Sequence, residues 1–553
     1  AKRGGDIQLV LGNRKLSAEM IDQARNELAA LAEEFPENHE YRDSLARSWA
    51  SLGSQRMREG DSGGADEAFR NAERYFESLV EADPESVDYR TALGRVLSDR
   101  GGLSSYLHER PEAARQKMHQ RAISLLEQAA GSDQDGTARW ALASAYYRYS
   151  NYELPEDQGN RAEQEAMALK GYEICEQLVA DHPDRREHLS AISSSCRRLG
   201  KLKREQGNLP EALRWYRKAV EYSRQESTRF PSVPRAHSAL AYSFSQLAQT
   251  LEAQKEWPEA EALYHDAKAI MERKEFKNPN ERKGKDRLID VYEGLGNVLI
   301  ANGQTGQDRE IQELEIKQAR LQVTIDEQFG EGEPTQAEYQ IRLASSMNQL
   351  AAAILQPDNF DEAIAGTMVE RATESLPWLD KAVGLLEPHV GQQPDGIREA
   401  EQLTRSYDLR GEAYSFLDDH SNAADAFAKA AALIQDDRRS YFRLRQTLAQ
   451  AHFRPVDGVI GEFEKRDDLA SAKPLHAFYG ALVYAVASDR SERDTEAYAV
   501  RAIELIKQAL NSDKALETDE VEERLSHAWQ QHPDLASLRD RYDFKQLIAR
   551  TSA

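Results

Sequence analysis

The sequence predicts an all-α fold, a solenoid of about eight helical hairpins closed by an irregular helical cap. Three observations predict it. Pro36, Pro84, Pro183, Pro231, Pro279, Pro334 and Pro394 are each followed seventeen residues later by a small residue: Gly53, Gly101, Gly200, Ala248, Gly296, Ala351 and Gly411. Asp133 and Ser150 stand at the same separation in the one gap, and most copies lie 48 to 50 residues apart. Self-similarity at a period of 20 to 50 residues is the mark of a repeat architecture. Composition agrees: the chain is rich in Ala, Leu, Glu, Arg and Gln, and only 8% aromatic.

Each copy opens with a helix. Eight residues before the small residue stand Leu45, Leu93, Leu142, Ile192, Leu240, Leu288, Leu343 and Leu403. Four before it stand Trp49, Leu97, Tyr146, Cys196, Phe244, Tyr292, Met347 and Tyr407. Positions four apart share a helix face. The proline marks the upstream boundary, and the small residue lets a second helix approach closely.

The second helix follows a turn marked by Gly60, Gly207-Asn208, Trp257-Pro258 or Gly303. Twelve, sixteen and nineteen residues after the small residue come Ala65, Phe69 and Ala72. The same offsets give Ala212, Tyr216 and Ala219, then Ala260, Tyr264 and Ala267, then Ala423, Phe427 and Ala430. An aromatic knob between two alanines at this spacing is a narrow stripe that packs on the first helix.

The copies divide the chain. Residues 1–35 read as an N-terminal helix or cap and 36–332 as repeats one to six. Residues 333–437 read as repeats seven and eight, with an insertion near 363–382. That insertion is expected to be a surface excursion, or more sharply a binding loop; loop closure grows costlier only slowly with length. The eighth copy is expected to end at Asp436–Arg439. Residues 438–553 read as a degenerate helical cap, with helical patterns near 440–453, 474–488, 492–511 and 518–528. A solenoid end must face water, so departure from the repeat is expected there.

Segment 199–219, LGKLKREQGNLPEALRWYRKA, resembles the tetratricopeptide repeat. The departure is length: that unit has 34 residues, and seven extra residues in each helix, about two turns, bring it to 48. The resemblance implies a right-handed α-α superhelix that binds a protein or peptide along a concave groove. The closing stretch from Pro533 to Leu547, with Glu40-Tyr41-Arg42, Asp88-Tyr89-Arg90 and Glu338-Tyr339-Gln340, also resembles the region after the kinase domain in large bacterial receptor-type Ser/Thr kinases.

The formal charge of −23 argues against general nucleic-acid affinity. The longest uncharged runs, 343–357 and 474–488, have fifteen residues each, short of the roughly 18 of a membrane span, so no direct membrane insertion is expected in this segment. The opening AKRGGDIQLVLG carries no initiator Met or signal-peptide pattern and is read as a mature start or an excised region, on either side of a membrane. Cys175 and Cys196 fall at apolar positions and are expected to be buried free thiols. No kinase loop, phosphate loop or metal-binding helix motif is found; His182 and His188 are read as helix-boundary residues. No enzyme, cofactor or metal is expected.

In tetratricopeptide proteins the groove is lined by first helices, at positions six and three before the small residue and one and four after it. That implies Arg47 and Arg95 early, then Arg197, Lys201 and Arg204 in the fourth copy. The fifth gives Gln249 and Glu252, the sixth Asp290, Glu293 and Asn297, and the eighth Arg405, Asp408, Glu412 and Ser415. The expected function is a non-catalytic interaction scaffold. A self-assembling subunit, hence a homo-oligomer, and a small-ligand regulator are the alternatives.

Overall fold

The computed structural model describes residues 14–103, 112–151, 158–273, 282–303, 309–329, 336–356, 364–390, 397–435, 438–466, 474–511 and 532–551. They are helical, with no strand among them. The chain separates into two compact units, residues 1–279 and 280–553.

In the first unit, α1 (Arg14–Glu34) precedes five hairpins. They pair α2 (His39–Glu59) with α3 (Ser62–Ala82), α4 (Val87–Leu103) with α5 (Glu112–Ala130), and α6 (Thr137–Ser150) with α7 (Gln158–Asp181). Then come α8 (Arg186–Glu205) with α9 (Leu209–Arg229), and α10 (Pro234–Ala253) with α11 (Trp257–Met271). The second unit continues with α12 (Arg282–Ala301) and α13 (Arg309–Phe329), α14 (Gln336–Leu355) and α15 (Ile364–Leu386), and α16 (Ile397–Phe416) and α17 (His420–Leu433).

The periodic residues form the core. All eight branched aliphatics eight before the small residue are buried, from Leu45 to Leu403. So are all twelve members of the Ala–aromatic–Ala stripes. The small residue is small because an aromatic ring lies on it. A Cβ at Gly53 would stand 2.7 Å from the Phe69 ring, at Gly200 2.9 Å from Tyr216 and at Gly411 2.5 Å from Phe427.

Caps set the boundaries. Asn38 accepts from the backbone N–H groups of Glu40 and Tyr41 at the start of α2. In the third copy, where no proline stands, the Asp133 carboxylate accepts from Gly136 N (3.1 Å) and Arg139 N (2.8 Å). Asp61, Asn208 and Asp419 cap the second helices α3, α9 and α17. Between the two helices, the residue seven after the small one is left-handed in five copies: Gly60, Gly207, Lys255, Gly303 and Asp418.

Two expectations need correction. Most of the surplus residues near 363–382 are no loop: they lie in α15, which buries Met368, Ala372, Ser375, Leu379 and Ala382 at helical spacing. Arg438-Arg439 does not close the eighth copy but opens the next helix, α18 (Arg438–Phe453). α19 (Val456–Phe463), α20 (Pro474–Arg490), α21 (Thr495–Asn511) and α22 (Tyr542–Thr551) complete the described end, and the expected pattern at 518–528 lies outside the described residues. α20 is buried from His476 to Ser488 except at Tyr479, which is why its sequence is uncharged and aperiodic. Leu535, Leu538 and Phe544 of the closing stretch lock into that core.

Candidate partner-binding surface

In the first unit the expected groove residues meet different fates. Arg47 is exposed and pairs with Asp43 at 2.8 Å. Arg95 is exposed and lies 5.3 Å above the Trp140 ring. Lys201 is exposed and reaches Glu205 at 3.6 Å, one turn on.

Arg197 is built into a polar well. Its Nη1 donates to the hydroxyls of Ser193 (2.7 Å, α8), Ser243 (3.0 Å, α10) and Ser223 (3.4 Å, α9), and Nη2 donates to Ser194 at 2.9 Å. Ser193, Ser223 and Ser243 are fully buried, and the Tyr242 ring lies 5.6 Å below the guanidinium. Arg204 donates to the amide oxygens of Gln249 (3.1 Å) and Gln246 (3.4 Å). The structure therefore brings Arg204 and Gln249 together. Glu252 is turned to the core side, where its carboxylate accepts from the Tyr264 hydroxyl at 3.0 Å. The serines were missed by sequence reasoning because hydroxyls at apolar helix positions look like spacers; three of them on adjacent helices were the available signal.

In the second unit, Asp290, Glu293 and Asn297 are exposed on α12. The protein mass around Asp290 pushes its carboxyl up, and repulsion from Glu293 and Asp286 adds to that. A cavity of about 550 Å³ opens between α13, α14 and α16. Glu315, Gln318 and Gln322 line it from α13, Gln349 from α14 and Gln356 from just past its end, and Arg405 and Glu412 from α16, with alanines and two leucines. Arg405 and Glu412 are groove positions expected from the repeat. Glu315 and the glutamines of α13 were missed because they lie on a second helix. Beside the cavity, Asp408 pairs with Arg445, which is 12% exposed and lies 4.3 Å from the Phe427 ring.

Cys175 and Cys196 are buried free thiols, both pushed up to about 12 by burial. Neither is poised as a nucleophile. Among the described residues no group of three His, Cys, Asp or Glu side chains is placed to hold a metal ion, and no helix is long and apolar enough to cross a membrane.

Residues 193–226 and 240–274 match the tetratricopeptide repeat family. These two stretches carry the tetratricopeptide repeat. The two matches cover the hairpins α8–α9 and α10–α11, where the Ala–aromatic–Ala stripe is complete. No curated protein matches the chain. Among solved structures it is similar to the nuclear import adaptor Nro1, a hypoxic regulator of sterol synthesis, at 12% identity over 70% of this chain and 98% of that one, with a TM-score of 0.30. A signal transduction ATPase with a tetratricopeptide repeat sensor from Pyrococcus horikoshii shares 14% identity over 88% of this chain and 74% of that one, TM-score 0.30. The apo form of RapI shares 10% identity over 76% of this chain and 98% of that one, TM-score 0.28.

Proposed function

We propose that the chain is a non-catalytic protein–protein interaction scaffold that holds an extended or helical partner segment along the first helices of its tetratricopeptide repeats. The observation that supports this most is the polar cluster on the two matched hairpins. Arg204 and Gln249 join α8 to α10, with Lys201 beside them and Arg197 seated on serines. Hydroxyl and amide partners hold the two guanidiniums in fixed orientation, so a partner group meets a preorganised donor set. An acidic stretch of the partner suits this place, because a guanidinium pairs a carboxylate or phosphate bidentately. In this reading, the resemblance of the closing stretch makes the scaffold a sensor or docking arm of a bacterial receptor-type Ser/Thr kinase.

The test is a Lys201→Ala, Arg204→Ala double variant, titrated with a partner purified on the wild-type chain. Truncating binding hot spots is expected to cost about 2 kcal/mol or more, roughly thirtyfold in affinity. Lys201 is exposed and Arg204 half-buried against neutral amides, so thermal melting of the variant is measured beside its affinity to separate lost binding from lost folding. Unchanged affinity at matched salt would remove the partner from this cluster.

A further inference from the structure

We propose that the cavity between α13, α14 and α16 is a socket for a lysine or arginine side chain of an extended partner segment. This rests on the reading that the first-helix face of the repeats is the partner face. It adds a second anchor, of opposite charge, within the second unit.

Geometry comes first. The cavity, about 550 Å³, falls within the range of about 300–1,000 Å³ typical of ligand sites. That is room for a long side chain together with the backbone on either side of it. Its walls come from three helices, and of its lining residues Gln349 on α14 and Arg405 on α16 are exposed, both on first helices, along which a bound segment would run. Ala319, Ala352 and Ala353 keep the walls low, so a backbone can approach.

The polar groups then select the occupant. Glu315 on α13 and Glu412 on α16 bring carboxylates from two sides. Glu315 has no cation or hydrogen-bond donor against it among the described residues, and burial pushes its carboxyl up. Glu412 is closely surrounded by protein. The cation that acts on it, Arg445, is already paired with Asp408, whose charge adds to the repulsion on Glu412; Arg405, exposed, is the single cation in the cavity lining against the two carboxylates. Two carboxylates against one guanidinium leave the lining one negative charge in excess, and an entering ammonium or guanidinium supplies that counter-charge. Gln318 and Gln349 have no hydrogen-bond partner among the described residues and present amides to the same space. A side-chain amide both donates and accepts, which is what a peptide group requires. The net charge of −23 steers a cationic segment towards the chain.

The experiment is selection from a decapeptide library with all positions randomised, on the full chain at 150 mM salt, followed by titration of the best peptides. Wild type is expected to enrich Lys or Arg at one position. Replacing that residue by Met, which keeps the length and removes the charge, is expected to weaken binding at least tenfold. Glu315→Gln and Glu412→Gln are each expected to weaken the Lys or Arg peptide while leaving the Met peptide unchanged. Glu313→Gln, on the same helix but paired with Arg309, serves as the control. Melting of each variant shows whether it folds, and Ala352→Met blocks the socket without touching charge. Equal binding of the Lys and Met peptides overturns the socket. Selected peptides with no recurrent cation that still lose binding to Ala352→Met also overturn it, while leaving the scaffold reading in place. Binding of free lysine or spermine without any peptide replaces the partner segment by a small amine. No binding of any peptide removes the peptide-groove reading together with the socket.

Discussion

The second and sixth copies share a glycine with the first, fourth and eighth, yet it is used in three ways. In the first, fourth and eighth copies a hydrocarbon ring fills the notch: Phe69 over Gly53, Tyr216 over Gly200, Phe427 over Gly411. In the second copy the notch at Gly101 holds His119, whose ring would stand 2.8 Å from an added Cβ. In the sixth, nothing among the described residues comes within 4 Å of the place where a Cβ on Gly296 would lie. The reason is register. Sixteen and nineteen residues after Gly296 stand Gln312 and Glu315 in place of the aromatic and the alanine; α13 buries Ile311 and Leu314 together with Gln312, whose amide oxygen accepts from Arg371. Helices in register satisfy themselves, as the Arg197 well shows. A helix out of register leaves polar groups facing open space, and Glu315 is one of those groups.

Emptying a filled notch has the largest expected effect. Phe69→Ala deletes a ring that is wholly buried. Such truncations cost about 3–5 kcal/mol. Loss of hydrogen-exchange protection across α2 and α3 is the readout, and an unchanged pattern would show that the ring is dispensable.

Acid tests the histidine notch next. Burial, with a smaller contribution from Arg148, lowers the His119 pKa from 6.5 to about 4. The folded state therefore holds this imidazole neutral, while the unfolded chain protonates near pH 6.5. Stability is complete above that pH and is lost progressively as the pH falls from about 6.5 to about 4. The loss is roughly 3 kcal/mol at the lower end, at about 1.36 kcal/mol per pKa unit. Protection in α4 and α5 should fall over this window more than in α8 and α9. His119→Phe should flatten the difference; if it does not, the acid response originates elsewhere.

Much of this was legible from spacing, because spacing reports which residues share a buried face. The eight branched aliphatics and the Ala–aromatic–Ala stripes needed no more than the period. Arg197, Arg204 and Gln249 were found as positions, but their partners were not. Ser193, Ser223 and Ser243 come from three helices, and which hydroxyls meet depends on how the hairpins stack. The cavity was half legible: Arg405 and Glu412 obey the groove rule, whereas Glu315 reaches the same space only because α13 is out of register. α20 was legible as a helix and not as a centre, since a helix packed on most sides has no periodic face.

A smaller effect separates filled from empty notches directly. Gly200→Ala places a methyl 2.9 Å from the Tyr216 ring, a contact that must be relieved by movement. Overpacking of this kind costs about 1–3 kcal/mol. Gly296→Ala meets no atom among the described residues and removes a helical glycine, a gain of about 0.5–1 kcal/mol. Opposite signs in denaturant titration, each read against its own unit, support the register argument; equal signs would defeat it.

The smallest effect lies in the turns, where the period predicts a conformation that the residue type conceals. Gly60, Gly207 and Gly303 take the left-handed region without strain, but Lys255 (φ 63°) and Asp418 (φ 54°) occupy the same place in their copies. A residue with a Cβ is disfavoured there by about 1–2 kcal/mol. Glycine removes that strain but frees the unfolded chain, which returns about 0.4–1 kcal/mol of the gain. Lys255→Gly is therefore expected to stabilise its hairpin by roughly 0.5 kcal/mol, and Asp418→Gly by less, because aspartate tolerates this region better than lysine. The ordering follows from side-chain chemistry alone, so a larger gain at Asp418 would mean that the carboxylate is itself a liability in that turn.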